Sequence, residues 1–447
     1  MPNSFGQHAV VIGAGMGGLA AARALSSCFD KVTVLERDAL PTIAEPRIGT
    51  PHCHQVHLLL RGGLEALSEF FPSIETALEE AGAVRIGVGS DMLVEAPGFD
   101  PFPQRDLGID SLTMTRPLIE LTVRRLVEQQ ANITIQAGRR VTSLLAAADR
   151  CAVTGVRYDL TDGESAELAA DLVIDASSRG TLTMELLDRL NLPRPEQIEI
   201  GVDLAYATAT FRMPRNAPRN WRAVFHRPSA ASGRGGFLFP IEHHCWHVGL
   251  NGVHGEAPSD QLDEFIAFAA GLRTPTIHDA IKDAQAVGAI HRFNLPASVR
   301  RRFEGLQDFP QRLLVIGDAI CRFNPAYGQG MTVAAQEARV LKGLLAARAN
   351  EGQGLDGLAP AYFEAIQSVL AAPWSVAEND FIYGKTRGSC PRDFQQRMQF
   401  SAALQKVAAQ DAAVHRLLAE VNHLLKSPSV LRDPKIMSKV QAVMAAA

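Results

Sequence analysis

A glycine pattern near the N-terminus restricts the fold of this chain more than any other feature. A short apolar run, Ala9 to Ile12, leads into Gly13, Gly15 and Gly18 at GxGxxG spacing, and an alanine- and leucine-rich stretch follows. A buried strand, a tight glycine turn and a helix in this order are typical of a dinucleotide-binding βαβ unit. The first glycine permits the turn, the second lets backbone approach a pyrophosphate, and the third lets the helix pack closely on the strand.

The second apolar run, KVTVLE, ends at Glu36. A carboxylate at this strand end can accept hydrogen bonds from both ribose hydroxyls of an adenosine, and it would repel a 2′-phosphate. Glu36 therefore favours nucleotide binding over a tight turn without ligand. At this point FAD, NAD and plain adenosine remain alternatives.

A third segment of this kind begins at Arg312. It predicts a buried strand that ends at Gly317 and Asp318, then a loop rich in glycine and proline, and then a helix with an apolar face. A carboxylate at a strand end can bind a hydroxyl of a sugar chain. Glycines let a flat ring lie against backbone, and the positive N-terminus of the helix suits an anionic ring such as a reduced flavin.

Length and composition indicate a globular protein with more than one packed unit. The chain has 447 residues, 47% of them apolar and 21% charged, which exceeds the size of a single hydrophobic core. Its net charge of -4 gives no indication of a nucleic-acid partner. The six cysteines are dispersed, no signal peptide is recognisable, and no apolar run approaches about 20 residues, so we expect a cytoplasmic protein without a membrane span.

Several motifs together resemble the flavoprotein monooxygenases of the p-hydroxybenzoate hydroxylase type, and more closely the bacterial branch that contains polyether polyene epoxidases and squalene-epoxidase-like proteins. The matching segments are GAGMGG with Glu36, PRIGTP followed by His57, TRPLIE, ADLVIDASSRG, FPIE followed by Trp246, and GDAICRFNPAYGQGMT. They span most of the chain in the order of the family, and the last is the most specific. The segment ADLVIDASSRG departs from the family because Ser178 stands where glycine is usual.

This resemblance implies an extended FAD that is reduced by NADH or NADPH. Glu36 would bind the adenosine ribose, Asp318 the ribityl chain, and backbone around Gly328 to Met331 would lie near the isoalloxazine. Arg47 and His57, on a loop that passes along the flavin in the family, are the candidate catalytic residues, with structural packing as the alternative. The full set of cofactor-binding candidates is Gly13, Gly15, Gly18, Glu36, Arg37, Arg47, Arg116, Asp318, Pro325, Gly328, Gly330 and Met331.

The segment PHCHQVH raises the alternative of a metal site, because three histidines and a cysteine fall within residues 51–57. Such a site needs three or four converging ligands with supporting hydrogen bonds. Leucines at helical spacing follow, so His57 is expected near the first turn of a helix and the other candidate ligands in the loop before it. In a second group, His243 and His244 are expected at the turn of a hairpin and His247 on the strand that follows. We therefore predict no metal site.

The predicted fold is mixed α/β (α+β), with a Rossmann-like FAD-binding domain, an inserted antiparallel-sheet substrate domain and C-terminal helices. Residues 1–75, 105–200 and 300–350 are assigned to the FAD-binding domain, 76–104 and 201–299 to the substrate domain, and 351–447 to the C-terminal helical region. Alternating apolar and polar residues in 201–255 predict the antiparallel sheet. Its aromatic residues would line a substrate chamber or form ordinary core: Tyr206, Phe237, Phe239, Trp246 and Phe293.

These expectations describe an FAD-dependent monooxygenase. It would insert one oxygen atom from O2, by epoxidation or hydroxylation, into a lipophilic alkene or aromatic substrate of secondary metabolism, as a monomer or dimer. The alternatives are a flavin-dependent reductase, a halogenase, and a non-redox cyclase or ligand-binding protein that holds a flavin. The halogenase is disfavoured because the motif WxWxIP is absent from the sequence.

Overall fold

The computed structural model describes residues 5–160 and 163–446. Its strands are β1 (Gly6–Ile12), β2 (Phe29–Leu35), β3 (Leu58–Leu59), β4 (Val84–Gly87), β5 (Met92–Glu95), β6 (Asp110–Thr113), β7 (Ile133–Gln136), β8 (Arg140–Ala146), β9 (Val153–Asp159), β10 (Ser165–Ala169), β11 (Leu172–Asp175), β12 (Glu196–Arg212), β13 (Ala223–His226), β14 (Gly235–Ile241), β15 (Cys245–Gly252), β16 (Ala286–Arg302), β17 (Leu313–Val315) and β18 (Cys321–Arg322). Its helices are α1 (Met16–Leu25), α2 (Arg61–Ser68), α3 (Ile74–Glu80), α4 (Arg116–Glu128), α5 (Thr181–Leu190), α6 (Leu262–Ala270), α7 (Thr276–Ile281), α8 (Gly330–Asn350), α9 (Leu358–Ala365), α10 (Gln367–Ala377), α11 (Phe394–Gln410), α12 (Ala412–Asn422) and α13 (Pro434–Ala445).

Five parallel strands form the sheet that the first glycine pattern predicted. Their order is β17-β11-β1-β2-β7, so β1 lies at the centre. The last residues of β1 and β2 are buried because helices cover the sheet. The loops after β1, β2 and β17 all leave from the carboxyl edge, where ligands bind in sheets of this kind.

Helices α1 and α8 pack against each other beside this sheet. Helix α1 begins directly after Gly15, and Leu19 and Leu25 are fully buried. Helix α8 buries Ala334, Ala338, Leu341 and Leu345, which confirms the predicted apolar face. The two glycine-led helices therefore share one core.

A seven-stranded sheet forms the second layer, in the order β18-β16-β12-β15-β14-β13-β5. Its pairs are antiparallel except for β13 with β5. Helices α6 and α7 cover its outer face. Its inner face packs on two loops of the first layer, since Tyr206 and Phe239 share an apolar cluster with Val56 and Ala326. The predicted antiparallel sheet and the mixed α/β class are confirmed.

Trp246 belongs to the ordinary core, one of the two alternatives that the sequence left open for it. Trp246 stacks on Trp221, with ring centroids 6.2 Å apart, in the outer cluster under α6 and α7. Its neighbour His247 faces the other way, because successive side chains of a strand point to opposite faces. The other predicted aromatic residues, Tyr206, Phe237, Phe239 and Phe293, do lie on the inner face.

The remaining elements close the molecule. Two three-stranded sheets have the orders β3-β6-β4 and β10-β9-β8, and α11, α12 and α13 pack together around a separate apolar cluster.

Strands β12 and β16 run across the predicted boundaries near residues 200 and 300, and the division into three regions stays a prediction. Among the described residues, no helix combines the length and the apolar character that a membrane crossing requires.

Candidate functional site

The turn between β1 and α1 leaves open space beside the backbone at the N-terminus of α1. Gly13 has φ +99°, and a side chain there would approach the Ala176 carbonyl oxygen to 2.9 Å. A Cβ on Gly18 would lie 1.9 Å from the Gly13 carbonyl oxygen, so these two glycines are required by close packing. Gly15 differs, because no described atom lies within 4 Å of the position its Cβ would take. The positive end of α1 therefore has room for an anionic group.

Glu36 lies beside this turn, directly after β2, and is 4% exposed. One carboxylate oxygen accepts the Ala14 N–H at 2.8 Å, and the other accepts the Asp38 N–H at 3.0 Å. The carboxylate thus lies at the carboxyl edge of the sheet, where the sequence predicted a ribose-binding group.

Arg47 contacts Glu36 and two further carboxylates, and its side chain is only 6% exposed. Its Nη1 lies 3.2 Å from Glu36 and 2.9 Å from Asp38, and its Nε lies 2.5 Å from Glu120. Burial lowers the pKa of Arg47, but Glu120, Glu36 and Asp38 together raise it above its ordinary value. Arg47 is therefore a fixed cation held by acids.

Arg116 is a second arginine that contacts Glu120. It begins α4, is 6% exposed and donates from Nη2 to Glu120 at 3.2 Å, while its Nε has no hydrogen-bond partner in the described structure. We call Glu36, Arg47, Glu120 and Arg116 the acid–base row. Arg116 also lowers the pKa of Asp318, which burial raises, so the row extends to the neighbourhood of Asp318.

Asp318 lies in the turn Gly317–Ala319 that follows β17. Among the described residues, nothing forms a hydrogen bond or an ion pair with its carboxylate. A Cβ on Gly330 would lie 3.8 Å from the Asp318 carboxylate, so the start of α8 faces this group. A half-buried carboxylate without a partner is unfavourable unless a ligand donates to it.

The loop before α8 exposes backbone at the position predicted for the flavin ring. It consists of the turn Pro325–Tyr327, Gly328 at φ +66°, and Gln329. The first turn of α8, which includes Met331, contains no acidic residue, and the buried Oε1 of Gln329 has no hydrogen-bond partner among the described residues. This helix start can therefore accept an anionic group.

Two buried acids that the sequence analysis missed hold this region in place. Asn324 and Tyr327 both donate to the Asp380 carboxylate, at 3.0 and 2.7 Å, and burial raises the pKa of Asp380 to about 6 against the effect of these donors. The Gly317 N–H donates to Glu337 of α8 at 2.7 Å, and burial raises the pKa of Glu337 to about 8. Of the two acids, only Glu337 had a signal in the sequence. It lies three residues after Ala334 and therefore on the apolar face of α8.

The histidines of residues 51–57 divide into two groups. His52 and His57 lie together, with ring centroids 5.6 Å apart, whereas His54 stacks on His291 at 3.7 Å. His57 was expected near the first turn of a helix, and the structure places the short strand β3 between His57 and α2, which begins at Arg61. No group of three or more His, Cys, Asp or Glu in the described part of the chain is arranged to hold a metal ion.

His57 is a half-buried imidazole. Its Nδ1 lies 2.8 Å from the Gln55 carbonyl oxygen, so this nitrogen carries the proton. Burial, Arg116 and His52 hold the pKa of His57 well below its ordinary value. Its Nε2 is then a hydrogen-bond acceptor at neutral pH and a weak base.

Arg37 and Ser178 lie apart from these buried groups. The Arg37 side chain is 59% exposed and 3.7 Å from Asp38, at the edge of the site. Ser178 has φ +68°, a left-handed conformation that favours glycine. The structure thus gives the physical reason why glycine is usual at this position.

The residues present fit an extended dinucleotide with a flavin. Gly15 leaves space at the positive end of α1, and Glu36 and Asp318 place carboxylates at two strand ends of one sheet. The orphaned Nε of Arg116 and Oε1 of Gln329 are two further polar atoms that a ligand would satisfy.

Comparison with known proteins shows the family of this chain. The profile of the family described as FAD binding domain matches residues 7–372. Protein Rv3254 of Mycobacterium tuberculosis is 33% identical over 357 residues, which cover 78% of this chain and 74% of that protein.

Two solved structures show the same fold at low sequence identity. The p-nitrophenol 4-monooxygenase PnpA of Pseudomonas putida has a TM-score of 0.64 and 17% identity, and the match covers 95% of this chain and 99% of that one. The flavin-dependent brominase Bmp2 has a TM-score of 0.66 and 14% identity over 96% and 97% of the two chains. The chain therefore belongs to the FAD-binding domain family, and it is an oxidoreductase with the fold of the flavin-dependent monooxygenases of the p-hydroxybenzoate hydroxylase type.

Proposed function

We propose that this chain is an FAD-dependent monooxygenase that inserts one oxygen atom from O2 into a lipophilic alkene or aromatic substrate, by epoxidation or hydroxylation, in secondary metabolism. NADH or NADPH is the reductant in this proposal. The single observation that carries it is the apolar inner face of the seven-stranded sheet, which packs directly on the loops at Val56 and Ala326.

The proposed cofactor contacts follow the order of residues along the site. Glu36 would bind the adenosine ribose, the N-terminus of α1 the pyrophosphate, and Asp318 the ribityl chain. The backbone of Gly328, Gly330 and Met331 would lie against the ring, since α8 begins there without acidic side chains. FAD supplies the redox chemistry and the oxygen activation when it is bound.

The inner face has the composition that a lipophilic substrate requires. Tyr206, Phe237, Phe239 and Leu295 belong to one buried cluster with residues of the loops at 56–58 and 326. Burial of apolar substrate surface is favourable by about 25 cal/mol per Å², and a dry site strengthens the polar contacts within it. The protein's contribution is therefore position, charge and the exclusion of water.

We propose that Arg47 and His57 act without gaining or losing a proton. Arg47 keeps its charge because three carboxylates surround it, and it would contribute a constant positive potential near the cofactor. His57 stays neutral because of its burial, and its Nε2 can accept a hydrogen bond from a ligand.

Isotope incorporation tests this function. The FAD-loaded protein is supplied with NADPH or NADH and candidate alkenes and phenols under 18O2, and products are analysed by mass spectrometry. We expect one 18O atom per product molecule and no product without oxygen. Product that forms without oxygen indicates a reductase, and brominated product that appears only with bromide indicates a halogenase, as for the brominase of the same fold.

The Asp318→Ala variant tests the cofactor assignment. Because the Asp318 carboxylate has no partner among the described residues, its proposed role is to accept ribityl hydroxyls, and hydrogen bonds to a charged group contribute about 1.5–3 kcal/mol. We expect the FAD dissociation constant to rise about tenfold to a hundredfold, measured by flavin fluorescence. Asp308→Ala, an exposed acid before β17, is the control, and full FAD occupancy in Asp318→Ala refutes the assignment.

A further inference from the structure

Two of the sequence motifs contact each other in the structure. TRPLIE begins at Thr115, directly before α4, and FPIE ends at Glu242, in the turn between β14 and β15. Thr115 donates to the Glu242 carboxylate twice, from its backbone N–H to Oε2 at 3.1 Å and from its hydroxyl to Oε1. The turn of the seven-stranded sheet thus holds the start of α4.

Further contacts hold Glu242 in this position. The Thr113 hydroxyl of β6 donates to the Pro240 carbonyl oxygen of β14 at 2.6 Å, so the same two segments are joined again two residues earlier. A Cβ on Gly82 would lie 3.1 Å from the Glu242 Cβ, so the segment before β4 packs closely on this side chain. Glu242 is 7% exposed and is therefore fixed within the interior.

The buried carboxylate of Glu242 has Thr115 as its hydrogen-bond donor and no cation as a partner. Among the described residues, no Lys, Arg or His forms an ion pair with it. A buried acid is unfavourable unless hydrogen bonds or a positive potential compensate it. Here the two bonds from Thr115 and the positive N-terminus of α4, which begins at the next residue, supply this compensation.

Glu242 replaces a group that α4 lacks. In a capping box, a Glu or Gln side chain at the third helical position accepts the N–H of the residue before the helix. The third residue of α4 is Leu118, and its first turn contains no acid. Glu242 accepts this N–H from Thr115 instead, although it lies 127 residues further along the chain.

The turn that carries Glu242 has an unfavourable backbone. His243 and His244 follow it with φ +63° and +56°, a left-handed conformation that residues with a Cβ rarely adopt. Such residues persist where surrounding contacts determine the conformation, and they are frequent near functional sites. The bonds of Glu242 and Pro240 to the segment before α4 are contacts that can hold this turn.

Arg116 directly follows Thr115 and is the first residue of α4. It is 6% exposed, and its Nε has no hydrogen-bond partner among the described residues. Burial raises the pKa of Asp318 and Arg116 lowers it, while burial and Arg116 both lower the pKa of His57, so the guanidinium lies near these two groups. Because Glu242 fixes the backbone of Thr115, it also fixes the point from which the Arg116 side chain begins.

We propose that Glu242 is a positioning residue, which fixes the start of α4 so that the Arg116 guanidinium reaches the bound cofactor beside Asp318. This inference rests on the proposed function, because it assumes the FAD site in which Arg116 is a binding residue. Glu242 acts through Thr115 and does not itself contact the cofactor. Its effect on the cofactor therefore requires Arg116.

A double-mutant cycle on FAD affinity tests this requirement. FAD dissociation constants are measured by flavin fluorescence for the wild type, Glu242→Ala, Arg116→Gln and the double variant. We expect Glu242→Ala to raise the dissociation constant about tenfold when Arg116 is present, because a misplaced guanidinium loses a hydrogen bond to the cofactor. In the Arg116→Gln background the increase should be less than about twofold.

Two outcomes of the cycle overturn the proposal. Equal increases in the two backgrounds would show that Glu242 only stabilises the fold. An unchanged FAD affinity in Arg116→Gln alone would show that this guanidinium makes no contact for Glu242 to position.

Two milder substitutions keep the test decisive if Glu242→Ala folds poorly. Glu242→Gln keeps an acceptor for the Thr115 N–H and should retain FAD affinity within about threefold of the wild type. Thr115→Val keeps the size of the side chain without its hydroxyl, and it should weaken FAD binding by about threefold or more only while Arg116 is present. A loss in Glu242→Gln as large as about tenfold, or unaltered affinity in Thr115→Val, contradicts the proposal.

Glu256→Ala is the matched control. Glu256 follows the other end of β15, its side chain is 45% exposed, and it pairs with Arg234. We expect its removal to leave FAD affinity unchanged, and a loss as large as that in Glu242→Ala would contradict the specific role of Glu242.

Oxygen transfer separates this inference from the proposed function. If the cycle shows that Glu242 depends on Arg116, but no 18O enters any substrate, the monooxygenase proposal fails and the positioning role stands. If 18O is transferred, but Glu242→Ala has the same effect in both backgrounds, only the positioning role is refuted.

Discussion

Replacing Glu337 by glutamine should stabilise the protein, and more so as the pH rises. Glu337 is fully buried in α8, where one carboxyl oxygen accepts the Gly317 N–H at 2.7 Å and the other has no hydrogen-bond partner among the described residues. Burial, with a contribution from Asp318, raises its pKa from 4.5 to about 8. Glutamine keeps the shape and the acceptor for Gly317 but carries no charge.

The raised pKa of Glu337 determines how much Glu337→Gln changes the free energy of unfolding at each pH. The folded state holds the Glu337 proton more tightly than the unfolded state does. The contribution of this group to the free energy of unfolding is therefore fully present below pH 4.5 and is lost as the pH rises towards about 8. Each pH unit in this window costs about 1.4 kcal/mol. The wild type therefore loses less than about 1 kcal/mol at pH 5 and about 3 kcal/mol at pH 7 through this group, and Glu337→Gln removes the loss.

Thermal unfolding of the FAD-loaded protein between pH 5 and pH 8 measures this difference. At about 2.1 cal/mol/K of unfolding entropy per residue, 3 kcal/mol corresponds to a Tm increase of about 3 °C for a chain of this length. The variant should exceed the wild type by less than about 1 °C at pH 5 and by about 3 °C at pH 7. Glu364→Gln, on the exposed side of α9, is the control. Parallel Tm curves for Glu337→Gln and wild type would refute the reasoning.

Three further substitutions test other parts of the site. Arg47→Ala leaves Glu36, Asp38 and Glu120 without their shared cation, so the free energy of unfolding should fall by about 3–5 kcal/mol, measured by thermal unfolding. Ser178→Gly removes a left-handed serine at φ +68° and should raise the free energy of unfolding by about 1 kcal/mol, measured in the same way. Asp380→Ala removes the acceptor of Asn324 and Tyr327, so the loop before α8 loosens and the FAD dissociation constant should rise about tenfold, measured by flavin fluorescence.

Each of these changes has a matched control. Arg37→Ala removes an exposed arginine of the same segment, Ser177→Gly changes the neighbouring serine, and Asp393→Ala removes an exposed acid that precedes α11. An unchanged Tm in Arg47→Ala combined with weaker FAD binding would show that Arg47 acts on the cofactor directly. A Tm for Ser178→Gly at or below that of the wild type contradicts the strain argument, and unaltered FAD affinity in Asp380→Ala contradicts the loop argument.

Local patterns predicted the elements that position the cofactor. The strand, glycine turn and helix at β1 and α1 were predicted because burial periodicity and turn chemistry are encoded within about 20 residues. The same holds for the buried face of α8. These features need no knowledge of distant contacts.

Partners that meet only after folding were not predicted. Asp380 comes from the helical region after α10, yet it accepts from Asn324 and Tyr327 in the cofactor loop, and no sequence spacing indicates this contact. The sequence left Trp246 between a chamber lining and ordinary core, because alternation in a strand predicts two faces but not which of them is covered by helices.

The net charge around the acid–base row indicates where a pyrophosphate would bind. The row itself has two positive charges, on Arg47 and Arg116, and two negative charges, on Glu36 and Glu120. Asp38, which also contacts Arg47, adds a third negative charge, so the row together with Asp38 has a net charge of about -1 and does not attract an anion by itself. The N-terminus of α1, with open space at Gly15, is then the better site for the pyrophosphate. Arg47 in this arrangement primarily neutralises the acid that would bind the ribose, which is why its removal is expected to affect the stability of the fold before it affects the flavin.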